Sequence, residues 1–223
     1  MANEELGLNF GRLVYSAKPS EDAVKKPSLF SFLSKAHANE VDVYENGIRL
    51  KSKIGERTLH YSEFLGIYDS IHKHSENGKS MRDFQVEVKD EDENALVDYL
   101  NWNDVNDFAG VANAITDTYT DFLLNGATRE TLTQIEIRFD DDITFDTFRL
   151  KNGNFCAGHV REMQETIEIP AENITSVDIS PGWIKLKHLV NGKEEIWKSF
   201  PLNNIFNINA LHIIVNDILK QEF

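Results

Sequence analysis

The sequence predicts a mainly β (α+β) fold in which one arrangement, a bent antiparallel sheet followed by a C-terminal amphipathic helix, is used twice. Three observations predict it: short stretches that alternate polar and apolar residues, Asn-Gly pairs between those stretches, and two apolar stripes at helical spacing.

Alternation is clearest in DFQVEV (Asp83 to Val88) and GWIKLKHL (Gly182 to Leu189). Side chains two apart on a strand share a face, so such stretches suit half-buried strands. Asn-Gly pairs at Asn46, Asn77, Asn152 and Asn191 lie between strand-like runs. Asn and Gly both tolerate positive φ, which two-residue antiparallel hairpins require at their central positions. Four hairpins are expected there.

The helices follow from steps of three and four. Val105, Phe108, Val111, Ala112, Ile115, Tyr119 and Phe122 form one stripe, with Asn103 and Asp104 as N-cap candidates and Asn125-Gly126 as the stop. Ile205, Ile208, Leu211, Ile214, Val215, Ile218 and Leu219 form the second, after Asn203-Asn204.

The order then repeats. VDVYENGIRL (Val41 to Leu50), TLHYSEFLGI (Thr58 to Ile67), strands and a helix are matched by FDTFRLKNGNF (Phe145 to Phe155), IEIPAENITSV (Ile167 to Val177), strands and a helix. Asn46 aligns with Asn152 and Glu63 with Glu172. Domains of 1–125 and 126–223 are expected, residues 1–40 being an N-terminal extension. In it LGLNFGRLVYSA (Leu6 to Ala17) reads as an added strand and AKPSEDAVKKPS (Ala17 to Ser28) as a loop.

Several hairpins and one terminal helix must bury the helix's apolar stripe, and the open end of a strongly bent sheet offers the place. This arrangement resembles the pleckstrin-homology (PH) superfold. VDVYENG, IPAENI and PLNNIFNINALHIIVNDIL, within about residues 40–223, resemble a family of uncharacterised bacterial proteins with tandem PH-like domains. The resemblance implies two PH-like split barrels, each capped by its helix. Several members carry a membrane hairpin before the first of these strands, where this chain has the polar stretch Lys18 to Glu40.

A net charge of −14 creates a field that repels nucleic-acid phosphates and anionic lipid surfaces and attracts basic partners. The balance is uniform: residues 1–125 hold 13 basic and 22 acidic side chains, and the remainder 10 and 15. Nucleic acid is therefore excluded as a partner, and membrane-surface binding is disfavoured. One cysteine, Cys156, cannot form an intramolecular disulfide, and MANEELGLNF has neither a basic n-region nor an apolar h-region. A cytoplasmic location is expected, and no apolar run reaches the roughly 20 residues of a transmembrane helix.

Motifs for catalysis fail one by one. GKS (Gly78 to Ser80) lacks the earlier glycine of a P-loop, which is Lys73 here. Asp90, Asp92 and Asn94 begin like a calcium loop, but Ala95 and Asn101 replace its glycine and its bidentate glutamate. Asp140, Asp141 and Asp142, with Asp146, read as a solvated turn because adjacent strand residues point apart. His60, His72, His74 and the Cys156-x-x-His159 spacing lack the second matched pair of a zinc site. No catalytic residue, metal or cofactor is expected.

Arg49, Lys51 and Lys53 alternate and so share a strand face, with Arg57 in the next turn. PH domains that bind phosphoinositides hold head-group phosphates with basic residues near their first hairpin, so the resemblance makes these four the candidate ligand-binding residues. The expected function is a non-enzymatic protein or peptide interaction module, with a basic protein or peptide as the first partner to seek. Its alternatives are a phosphoinositide or membrane-surface binder, and an enzyme of unfamiliar type using Glu63 or Glu172 in an acidic inter-domain pocket.

Overall fold

The computed structural model of the protein describes residues 9–18, 40–52, 55–73, 80–89, 95–98, 105–140, 146–159, 166–202 and 205–220. The fold is mainly β, built from small antiparallel sheets, none of which closes on itself among the described residues.

Strands β1 (Leu13–Ala17), β2 (Glu40–Tyr44), β3 (Gly47–Ser52) and β4 (Gly55–His60) form a four-stranded meander in that order. A 3-10 turn at Tyr61–Glu63 leads to a three-stranded meander of β5 (Phe64–Lys73), β6 (Ser80–Lys89) and β7 (Ala95–Asp98), and then to helix α1 (Phe108–Leu124). After a 3-10 stretch at Arg129–Gln134 the same order returns. Strands β8 (Ile137–Arg138), β9 (Asp146–Lys151), β10 (Asn154–His159) and β11 (Ile167–Pro170) make a second four-stranded meander. A 3-10 turn at Ala171–Asn173, the meander β12 (Ile174–Ser180), β13 (Trp183–Val190) and β14 (Lys193–Pro201), and helix α2 (Ile208–Ile213) follow, the last running into a π-helical turn at Ile214–Ile218.

The turn residues show why these strands pair as they do. Asn152 and Gly153 (φ 52 and 75) and Asn191 and Gly192 (φ 52 and 76) have the positive φ of a type I′ hairpin, and Lys151 pairs with Asn154 and Val190 with Lys193 across them. The first hairpin corrects the sequence expectation. Tyr44 pairs with Gly47, so its central residues are Glu45 and Asn46, and neither Asn46 nor Gly47 has positive φ. Gly47 is needed there for space: a Cβ would lie 2.5 Å from the Leu59 carbonyl and 2.6 Å from the Phe10 ring. The Asn77 hairpin lies outside the described residues.

With this shift the two meanders correspond one residue later than the sequence alignment places them. The Tyr61 N–H donates to the Asn46 carbonyl, and the Ala171 N–H donates to the Gly153 carbonyl, each at 2.8 Å. Each bond ties the first residue of a 3-10 turn to the last residue of a hairpin turn. Glu63 is accordingly the third residue of its 3-10 turn, whereas Glu172 is the second of its own.

The chain divides into two compact units, Met1–Ile67 with Phe84–Phe122, and Tyr68–Asp83 with Leu123–Phe223. In the first, Val41, Val43, Ile48, Leu50, Leu59, Phe84, Val86 and Val88 are buried, as are Val111, Ala112, Ile115 and Tyr119 of α1. Helix α1 stops at Asn125-Gly126, both left-handed. Its N-cap is Asp107, whose Oδ1 accepts from the Gly110 N–H at 2.9 Å; the expected caps Asn103 and Asp104 lie outside the described residues.

The core of the second unit joins Phe148, Leu150, Phe155, Ile184, Leu186 and Phe200 to Ala210, Leu211, Ile214, Val215 and Ile218. Phe148 stacks on Phe200 with centroids 4.4 Å apart. The final helix begins later than the apolar stripe does because Asn207 is left-handed (φ 54) and its side-chain amide donates to the Arg138 carbonyl at 2.8 Å. That bond fixes the chain outside helical geometry until Ile208.

Candidate functional site

The four expected ligand-binding residues do not act as one basic surface. Lys53 lies outside the described residues. Arg49 and Lys51 share a face of β3, but Arg57 pairs in register with buried Leu50 and so belongs to the opposite face. Strand register sets Arg49 between Asp42 and Thr58, with Ser16 beyond Asp42. The Arg49 guanidinium donates to Asp42 Oδ2, at 2.9 Å from Nε and more closely from Nη2, while the Ser16 hydroxyl donates to Oδ1 at 2.6 Å. Glu40 and Glu56 lie 3.9 and 3.8 Å away. Asp42 is 3% exposed, so its charge depends on these partners. Hydrogen bonding to Asp42 raises the Arg49 pKa, and the guanidinium is committed to the sheet.

The remaining sequence candidates in the first unit hold the fold. His60 Nδ1 accepts from the Ser62 N–H at 3.2 Å, and Glu63 Oε2 accepts from the His60 N–H at 2.6 Å, a reciprocal cap on the 3-10 turn. The His60 imidazole meets Phe10 and Phe122 edge to face, at 5.6 Å each. Glu63 therefore has a structural partner. Glu172 is an exposed residue 3.6 Å from Arg129. Cys156 is half-buried; burial, with Glu168 beside it, raises its thiol pKa and keeps it a weak nucleophile. The side chains of His72, His74 and His159, the stretches around Gly78 and Asp92, and Asp141 and Asp142 lie outside the described residues. Asp140 is described and 2% exposed, so it is buried and not part of the solvated turn that the sequence suggests. Among the described residues no group of three or more His, Cys, Asp or Glu side chains could hold a metal ion.

A surface in the second unit is of a different kind. Pro181-Gly182 turns β12 into β13 with Gly182 at φ 82, and Ser180 pairs with Trp183 across it. From there Ile184 and Leu186 face the core, which leaves Trp183, Lys185, Lys187 and Leu189 on the outer face. Register adds Asp178 and Ser176 from β12, and Ser199, Ile196 and Glu194 from β14. A bulge after Leu186 makes Trp197 the extra residue of β14, so Trp197 packs on the core while Ile196 stays outside. Trp183, Leu189 and Ile196 are 48, 59 and 53% exposed.

Charges on this face neutralise one another. Lys187 Nζ is 3.7 Å from Asp178 and 3.6 Å from Glu194. Glu194 Oε1 accepts from the Thr175 and Ser176 hydroxyls, each at 2.9 Å. Those hydroxyls, with Lys187 beside them, hold the Glu194 carboxyl below the usual carboxylate range. Two lysines and two carboxylates thus balance within an apolar rim. The sequence carried the signal: in WIKLKHL the lysine parity is also the parity of Trp183 and Leu189.

Among the described residues no helix is long and apolar enough to cross a membrane. No protein-family model and no curated protein sequence matches the chain.

Proposed function

We propose that the chain is a non-enzymatic protein-interaction module made of two tandem PH-like units, residues 1–125 and 126–223, each closed by its C-terminal helix. The tandem reading is supported by the recurrence of four-stranded meander, 3-10 turn, three-stranded meander and helix, and by the equivalent bonds from Tyr61 and Ala171. Fold alone selects no partner.

One observation carries the binding reading: the outer face of β12, β13 and β14 exposes Trp183, Leu189 and Ile196 around the paired charges of Lys187, Asp178 and Glu194. Apolar side chains gathered on one sheet face favour removal from water, and a tryptophan at such a site is a frequent energetic anchor of protein interfaces. A protein partner is favoured over a phosphoinositide surface because Arg49 is held by Asp42 and the chain carries a charge of −14. Tagged wild type and Trp183→Ser would be purified side by side from the source organism. The proposal expects a reproducible protein partner that the variant loses; no partner, or one retained equally by the variant, would contradict it.

A further inference from the structure

We propose that the outer face of β12, β13 and β14 docks a second copy of this chain about a two-fold axis, an inference that rests on reading that face as a protein-binding surface. A two-fold interface must be complementary to itself, because the same patch contributes both sides. Register gives the patch that property. Trp183 stands at one end of β13 and Leu189 at the other, with Lys185, Asp178, Lys187 and Ile196, the β14 partner of Lys187, in between. The apolar ends are about 20 Å apart at the rise of a strand. With the axis across the middle of β13, Trp183 of one copy covers Leu189 of the other, and Lys185 meets the other copy's Lys187, whose charge Asp178 and Glu194 already balance. Two inner sheet faces pack in this way at about 10 Å.

Charge selects the same occupant. At −14 the chain repels its own copies wherever acidic surface meets acidic surface. Here two lysines balance two carboxylates, and Lys187 is already paired with Asp178 and Glu194. The face is thus a place where two copies can meet without adding net charge, and it offers a basic peptide no excess of carboxylates. Salt therefore has a diagnostic sign. Screening weakens the long-range repulsion between copies and leaves apolar contact intact, so association strengthens with ionic strength; an interface held by ion pairs would weaken.

Sedimentation equilibrium of the full chain tests this, across a wide concentration range at low and high sodium chloride, with Leu189→Glu measured in parallel. Leu189 is 59% exposed, so the variant should fold, and circular dichroism checks that it does. The expected result is a mass rising from 25.5 kDa toward twice that value, more readily at high salt. In Leu189→Glu the association should weaken about tenfold or more, the effect of losing roughly 1.4 kcal/mol at the interface. A mass fixed at 25.5 kDa throughout, or equal association by the variant, overturns the inference. If the chain stays monomeric but Leu189→Glu loses a different protein that wild type captures, only the choice of partner has failed. If the variant changes neither property, the binding surface has failed as well.

Discussion

Tyr61 and Thr118 share a 2.5 Å hydrogen bond between hydroxyls in the buried interior of the first unit, joining the 3-10 turn to α1. Thr118 Oγ1 also donates to the Ala114 carbonyl at 2.7 Å, so the Tyr61 hydroxyl donates to Thr118. Burial pushes the Tyr61 hydroxyl pKa far up, which keeps it a neutral donor, and the ring packs against Phe64, Tyr119 and Phe122.

This direction makes the two partners unequal. Tyr61→Phe removes one neutral hydrogen bond and should cost about 1 kcal/mol, whereas Thr118→Val strands a buried hydroxyl and should cost about 1–3 kcal/mol. Urea unfolding of both variants and of the double variant measures this. Equal losses, or a larger loss for Tyr61→Phe, would contradict the assignment.

The Tyr15 hydroxyl donates to Asp107 Oδ2, and Asp107 also caps α1 through Gly110. The Tyr15 bond, then the Gly110 N–H, hold the Asp107 carboxyl below its ordinary value, and the same bond raises the Tyr15 hydroxyl above 10.0. A depressed carboxylate stabilises the fold above its unfolded pKa of about 4, and a raised phenol stabilises it below an unfolded pKa of about 10. Wild type should therefore melt above Tyr15→Phe at neutral pH. The gap should close as pH falls through the folded Asp107 value and as it rises through the folded Tyr15 value. Melting curves across pH that keep a constant gap would refute the coupling.

Two glycines should fail for different reasons. Gly47→Ala drives a Cβ into the Leu59 carbonyl and the Phe10 ring and should cost about 1–3 kcal/mol, the range for overpacking a tight site. Gly192→Ala has open space around it and only a positive φ of 76° to resist, so about 1 kcal/mol is expected. Shortening Phe10 should rescue part of the first loss and none of the second, as chemical denaturation would show.

Arg49→Met removes the guanidinium from Asp42, which is 3% exposed, and leaves the Ser16 hydroxyl on its other oxygen. A hydrogen bond to a charged group is worth about 2 kcal/mol, and this loss should appear at neutral pH. Lys51→Met on the same strand face is exposed and should stay within about 0.5 kcal/mol of wild type. Similar losses for both would mean that Arg49 is not the ion that balances Asp42.

The sequence exposed most where local chemistry decides structure. Asn152-Gly153 and Asn191-Gly192 turn as their residues require, because positive φ at both centres is a property of the two residues alone. Asn46-Gly47 has the same letters and a different turn, since the approach of Phe10 and the Leu59 carbonyl is tertiary. In the same way Asn207 bonds to Arg138, 69 positions earlier, and delays the final helix beyond what its apolar stripe suggests. For the binding residues the limit was neighbours. Alternation placed Arg49 and Lys51 on one face, but the carboxylates that face Arg49 come from β2 and β4, through a register that periodicity does not encode. The outer face of β13 was readable in WIKLKHL as Trp183 and Leu189 on the lysine side, whereas Ile196 joins it only through pairing and the bulge at Trp197.

Hydroxyl-radical footprinting of Trp183, Leu189 and Ile196, compared between intact cells of the source organism and dilute purified protein, tests most directly whether this face is covered at work. Protection of all three in cells, with Leu13 and Val14 of β1 labelled equally in both, is the predicted result. Equal labelling of Trp183, Leu189 and Ile196 in the two states would show the face open to water where the protein acts, and would contradict it.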